Sequence, residues 1–134
     1  MEVTLDQLND AGNGLFPGHI GVEIESVDDG VVRGRLELGD RHLAPNGYLH
    51  AAAVIGLADT ACGYGSIMSL PEGSTGFTTV ELKTNFVRSV REGTITCEAT
   101  LVHGGRTTQI WDATVRDPDG RAMALFRCTQ LILR

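Results

Sequence analysis

Between Leu49 and Leu70 the sequence holds a single carboxylate, Asp59, and no Lys or Arg. Its neighbours along the chain are small or apolar: Ala51, Ala52, Ala53, Val54, Ile55, Leu57, Ala58 and Ala61. An ionised carboxylate in such a setting is costly to desolvate, so its pKa is pushed upward. An acid placed in this way has the chemistry of a general base or a nucleophile. The alternative is a packing role, in which the carboxyl bonds nearby backbone or a Thr hydroxyl. The remaining reactive side chains do not cluster. Cys62, Cys97 and Cys128 form no CxxC and no Cys/His group, and their odd number fits reduced, buried thiols of a cytosolic protein. His19, His42, His50 and His103 are scattered without acidic partners at ligand spacing, so no metal is expected. His42 and His103 read as loop residues.

Composition narrows the partners. A length of 134 residues suits one domain spanning 1–134. The net charge of −6, with Lys83 as the single Lys, argues against a nucleic-acid partner while leaving room for a local Arg patch. The opening MEVTLDQLND is polar and acidic, without the basic-then-apolar order of a secretion signal. The run from Leu49 to Leu70 is rich in Ala and Gly and carries Asp59, which makes it a poor bilayer span and a good buried helix. The expectation is a cytoplasmic protein with no membrane partner.

The elements that must position Asp59 follow from periodicity. A short helix fits Thr4–Asp10, with Thr4 as cap. Ile20, Val22 and Ile24 alternate with Gly21, Glu23 and Glu25, and Asp28-Asp29-Gly30 turns the chain into a second strand, Val31–Leu38. A polar loop containing Pro45, Asn46 and Gly47 precedes the one long helix, His50–Ser69. Glycines at 56, 63 and 65 weaken that helix and permit close approach by a sheet or a second helix. Alternating runs then give four strands, at Thr79–Phe86, Ile95–Leu101, Ile110–Val115 and Ala122–Leu133, with turns short enough to make neighbours antiparallel. One apolar helix and one sheet satisfy each other when the sheet wraps the helix. The pattern predicts an α+β hotdog fold: a long central helix, a curved antiparallel β-sheet of about six strands, and a short N-terminal helix.

Pro45-Asn46-Gly47-Tyr48-Leu49-His50-Ala51-Ala52, followed by Leu57-Ala58-Asp59-Thr60-Ala61, resembles the loop-and-helix signature of the PaaI-type hotdog acyl-CoA thioesterases. The likeness continues through Thr78–Arg88 and the turn Gly105-Arg106-Thr107-Thr108, and so covers nearly the whole chain. Two departures stand out. The His-Gly-Gly that opens the family's helix reads His50-Ala51-Ala52 here, and the Asn or Gln six residues before the His is Ala44.

The resemblance implies hydrolysis of an aryl- or acyl-CoA thioester, with phenylacetyl-type (phenylacetate degradation), hydroxybenzoyl and aliphatic acyl groups all within the family's range. Coenzyme A is then part of the substrate and no other cofactor is implied. Asp59 takes the role of general base or of nucleophile, and both routes stay open. The Ala51 amide, with Ala52 close by, faces the oxyanion, because a helix N-terminus offers free N–H groups and a positive dipole end. Asn46 is a candidate ligand for the carbonyl, His50 orients the loop, and Thr79 lies near the attacking water. Arg88, Arg106, Thr107 and Thr108 match positions that contact the nucleotide, with Arg91 a further candidate. Gly63 and Tyr64 are candidates to line the acyl pocket. Ala51 and Asp59 lie about 12 Å apart along one helix, too far for one thioester to touch both. Antiparallel helices of two copies would bring them together, so the expected unit is at least a homodimer, and the resemblance adds a homotetramer. Phe16-Pro17-Gly18-His19 also resembles the His-Phe-Pro-Gly of hotdog dehydratases, but it lies upstream of the first strand and reads as a turn with a packed Phe. A hotdog hydratase or dehydratase and a non-catalytic acyl-CoA-binding module are the rival readings.

Overall fold

Thr4 opens the first helix of the computed structural model, which describes residues 3–134. Its hydroxyl accepts from the Gln7 N–H while the Gln7 side chain accepts from the Thr4 N–H, a reciprocal cap that starts α1 (Leu5–Ala11). The segment expected as a turn is instead a second helix, α2 (Phe16–Ile20). Pro17 occupies its first turn, where no N–H is needed, and Gly21 ends it at φ +90°, a left-handed conformation suited to glycine. Ile20 therefore belongs to α2, and the first strand, β1 (Glu23–Asp28), begins later than the alternation of Ile20, Val22 and Ile24 predicts. Phe16 is 59% exposed rather than packed as expected, although its ring edge rests near Gly56.

β2 (Val31–Glu37), a 3₁₀ turn (Asp40–His42), α3 (Ala51–Met68), β3 (Gly76–Phe86), β4 (Thr94–Gly104), β5 (Thr108–Arg116) and β6 (Ala122–Leu133) complete the order. The strands form one antiparallel sheet in the order β1-β2-β4-β5-β6-β3. This is the predicted hotdog architecture, with α3 as the filling. Leu57, Ala58, Ala61 and Cys62 of α3 are buried against Leu36, Ile95, Trp111 and Phe126 of the sheet. Leu57, Ile95 and Trp111 are fully enclosed, and the two aliphatic side chains contribute about 1.5–3 kcal/mol each. Among the described residues α3 alone is long and apolar enough to cross a membrane, but half of it is buried within the fold.

Two His residues expected in loops lie elsewhere. His103 is part of β4. His42 ends the 3₁₀ turn at 2% exposure, where Nδ1 accepts from the Gly39 N–H at 2.9 Å and Nε2 donates to the Ile20 carbonyl at 2.6 Å. It thereby ties the end of α2 to the loop leading into α3. Gln109, buried in β5, does the same at the other end: its amide donates to Ser69 O and accepts from Trp111 Nε1, each at 2.9 Å.

β3 is one edge of the sheet and β1 the other. Its register with β6 pairs Leu82 with Cys128, Thr84 with Phe126 and Phe86 with Ala124, which places Leu82, Thr84 and Phe86 on the core-side face. Leu82 and Phe86 are nonetheless 42% and 46% exposed, because β3 makes little contact with α3.

Candidate active site

α3 starts where the chain leaves a small hairpin. Ala44 N–H donates to Tyr48 O at 2.7 Å, Gly47 N–H donates to Ala44 O at 2.8 Å, and Leu43 bridges Leu49. Gly47 sits at φ +85°, which the turn requires. Asn46, exposed at the tip, uses its side-chain oxygen to accept from the Tyr48 N–H at 3.2 Å. His50 is the N-cap of α3: Nδ1 accepts from the Ala52 N–H at 2.9 Å. That bond fixes the neutral tautomer with the proton on Nε2. It also removes Ala52 from the pair of amides expected at the helix tip and leaves Ala51, the first residue of the helix, whose N–H has no intrahelical acceptor.

Asp59 stands two turns further along. It shares one side of the helix with Ala52, Gly56 and Gly63, which recur at the spacing of an α-helical stripe. A Cβ on Gly56 would come within 2.7 Å of Ile20 Cδ1 and 3.2 Å of Phe16 Cε2; one on Gly63 would come within 3.3 Å of Phe77 Cζ. Asp59 therefore sits between two places where the helix is thinned to admit apolar side chains. Its Oδ1 is buried and finds no hydrogen-bond partner in the chain. Burial raises its pKa above the ordinary carboxylate range. The packing role, with the carboxyl bonded to backbone or Thr, thus has no partner for that oxygen.

The thiols around it are inert. A hydrogen bond with Cys128 and then burial push the Cys62 thiol well above its ordinary value, and burial takes Cys97 to about 12. They stay protonated and are poor nucleophiles at neutral pH. Thr79 donates its hydroxyl to Gln130 Oε1 at 2.6 Å, and Gln130 Nε2 is a second buried polar atom without a partner. Tyr64 is half-buried, its hydroxyl beside Gly12, and burial raises its pKa.

The nucleotide candidates divide between the two ends of α3. Arg88 lines a cavity of about 120 Å³ with Ala51, Leu49, Val54 and Phe86, and its Nε lies 3.9 Å from the buried Asp117 carboxylate. Arg106, Thr107 and Thr108 precede Gln109, which bonds Ser69, so they sit by the C-terminal end of α3. There Arg134 donates to Arg106 O, Ile132 N–H to Thr107 O and Gly105 N–H to Thr108 O. In a single chain the structure brings Ala51 and Arg88 together but leaves Asp59 and the Arg106 turn further along the helix. A cleft of about 370 Å³ lined by Glu23, Arg35, Glu37 and Arg41 includes none of these residues. Among the described residues there is no group of His, Cys, Asp or Glu that could hold a metal ion.

Sequence reasoning missed Gln130 and the loss of the Ala52 amide. The first carries no signal beyond being a polar residue at a core-facing strand position. The second was readable, since a His directly before a helix can cap it.

A model of the thioesterase superfamily matches residues 46–124. The 1,4-dihydroxy-2-naphthoyl-CoA hydrolase of Escherichia coli is 30% identical over 98% of this chain and 96% of its own length. The enzyme of the same name from Listeria monocytogenes is 32% identical over 82% of this chain and 89% of its own. A thioesterase of Pseudomonas aeruginosa, crystallised as a point variant, superposes with a TM-score of 0.93 at 27% identity, covering 99% of this chain and 96% of that one.

Proposed function

This chain belongs to the thioesterase superfamily and acts as a hydrolase of acyl-CoA thioesters, and we propose that Asp59 and the Ala51 amide of two different copies perform the reaction on aryl-CoA substrates. The observation that carries this reading is the buried, unpartnered Oδ1 of Asp59 on a face of α3 bordered by small residues. Such an atom costs stability unless something polar is brought to it.

Eight residues of helix separate Ala51 from Asp59, about 12 Å, so one thioester carbonyl cannot touch both in the same chain. Two copies with antiparallel α3 helices bring Ala51 of one opposite Asp59 of the other. The exposed 11-residue edge strand β3, with Leu82 and Phe86 bare on its core-side face, supports that pairing, because a long apolar edge left open invites a second strand. The minimal unit is then a homodimer with two sites, and a homotetramer of two such dimers keeps both intact. The same arrangement moves Arg88 of one copy toward the Arg106–Thr108 turn of the other, where guanidinium and loop amides suit the phosphates of coenzyme A.

In the site the thioester carbonyl oxygen accepts from the Ala51 N–H, which is aimed along the positive end of the helix dipole. Asp59 takes a proton from water as the water attacks the carbonyl carbon, or attacks that carbon itself to form a mixed anhydride that water then opens. Either way the C–S bond breaks, the thiolate of coenzyme A leaves and is protonated, and the acid is released. The raised pKa of Asp59 makes it a stronger base than an exposed carboxylate. His50 holds the helix tip, and Thr79 and Gln130 offer further polar atoms beside the site. Asn46 is occupied within its own turn and is the weakest of the candidates.

The relatives named for a naphthoyl-CoA substrate make fused aromatic acyl groups the first to test. Wild-type enzyme is assayed against benzoyl-, phenylacetyl-, 1,4-dihydroxy-2-naphthoyl- and hexanoyl-CoA by thiol release. Asp59→Asn should lower kcat by about 10²–10⁴-fold with a small change in KM. Undiminished turnover in that variant, or a wild type that hydrolyses none of these thioesters, ends the reading.

A further inference from the structure

Resting on that dimer, we propose that Tyr48 of one copy forms a wall of the acyl pocket of the other and selects aromatic acyl groups there. Tyr48 is held at the foot of the Ala44–Tyr48 hairpin by the bonds of its own backbone to Ala44 and Asn46. Its ring is not part of the core: the residue is 51% exposed, and the Arg91 guanidinium lies 4.5 Å from the ring centroid. A cation over one face fixes the ring's tilt and leaves the rest of an aromatic surface directed outward. A large exposed ring that is locked in place on both its backbone and one face is organised to meet something.

The antiparallel pairing says what it meets. With Ala51 of one copy opposite Asp59 of the other, a step toward the N-terminus on the first is a step toward the C-terminus on the second. Tyr48 lies three residues before Ala51, up to about 10 Å of extended chain. Gly63 and Tyr64 lie four and five residues beyond Asp59, about 6–8 Å of helix. The two stretches therefore come opposite each other. On the Asp59 side the surface is already aromatic: Gly63 offers no side chain, and the Phe77 ring closes over it. A thioester whose carbonyl sits between Ala51 and Asp59 projects its acyl group into this gap. A flat ring there has Phe77 on one side and Tyr48 of the second copy on the other, a setting in which offset or edge-to-face contacts add to simple burial. A short linear chain gains little from the same wall.

The test uses the full-length enzyme and the ratio of kcat/KM for benzoyl-CoA to that for butyryl-CoA, which is insensitive to the amount of active protein. Tyr48→Leu should lower this ratio about tenfold, the upper end of what one aromatic pair contributes, and Tyr48→Phe should restore it. An unmoved ratio in Tyr48→Leu overturns the proposal. The exchange between copies is tested by co-expressing differently tagged Asp59→Asn and Tyr48→Leu chains and isolating the mixed dimer. One of its sites then combines native Asp59 with native Tyr48, so it should show the wild-type ratio at about half the wild-type activity. The Tyr48→Leu ratio in the mixed dimer would mean that Tyr48 serves its own chain, and the proposal fails. The Asp59→Asn homodimer keeps the two failures apart. Full activity there removes Asp59 from the chemistry, whereas the expected loss there with an unmoved Tyr48→Leu ratio removes Tyr48 alone.

Discussion

Replacing Asp59 by Ala should make the protein more stable as it makes it inactive. Oδ1 is buried without a partner, and an unsatisfied buried polar atom costs about 1–3 kcal/mol. Asp59 is half-buried rather than sealed, which favours the lower part of that range. Ala in place of Asp inside a helix adds about 0.5 kcal/mol of propensity. The two together come to about 2 kcal/mol. For 134 residues the entropy of unfolding is about 0.28 kcal/mol/K, so Tm should rise by about 7 °C. The gain also has a predicted pH dependence. Burial raises the pKa of Asp59 in the folded state above its unfolded value. The wild type therefore loses stability as pH rises from the unfolded value through the folded one, and no further above it. Asp59→Ala has no such loss, so the difference between the two should be smallest near pH 4 and reach its plateau above the raised pKa. Thermal unfolding followed by circular dichroism from pH 4 to 8, with urea titration at pH 7.5, gives both quantities. A variant less stable than wild type at pH 7.5 would mean that the carboxylate has a structural partner, and the reasoning from an orphaned acid would fall with it.

Gly65→Ala should destabilise the fold by about 2 kcal/mol or more despite the better helix propensity of Ala, because the added methyl would overlap the Trp111 ring; urea titration with Trp fluorescence checks this. Leu82→Lys on the open core-side face of β3 should leave the folded chain within about 0.5 kcal/mol of wild type, since Leu82 is already 42% exposed. The same change should convert the dimer to monomer in light scattering and abolish hydrolysis in proportion. A fully active monomer would contradict a site shared between copies.

The long helix and five of the six strands were legible because their signals are local. An uninterrupted run of small and apolar residues makes α3, and two-residue alternation makes the strands. α2 was not legible. A five-residue helix has no room for periodicity, and Phe-Pro-Gly-His carries the residues of a turn, while the accidental alternation of Ile20, Val22 and Ile24 extended the first strand too far. His42 and Gln130 were missed for a different reason. Each is hydrogen-bonded to a residue far along the chain, Ile20 in the first case and Thr79 in the second, and a lone polar residue gives no hint of such a partner. Asp59 was found because its setting is itself local: nothing within ten residues on either side carries a charge that could pair with it.

The glycines of α3 show how the helix reconciles packing with a site. Their presence at 56, 63 and 65 predicted close approach by a sheet or second helix, and what approaches is in each case a side chain. Gly65 faces the sheet and admits Trp111, whose indole N–H is in turn held by Gln109, so the helix end is fixed by both packing and hydrogen bonding. Gly56 and Gly63 share the Asp59 side of the helix and admit Ile20 of α2 and Phe77 of β3, one on either side of Asp59. Three glycines cost the helix about 2–3 kcal/mol in propensity relative to Ala. On the sheet side that cost is offset by burial of a whole indole. On the Asp59 side it is offset by two apolar contacts that dry the surroundings of one carboxylate while leaving its oxygen unpartnered. A helix selected for stability alone would carry no acid between these two contacts; the pattern here makes sense for a helix that must hold a desolvated base against an incoming carbonyl.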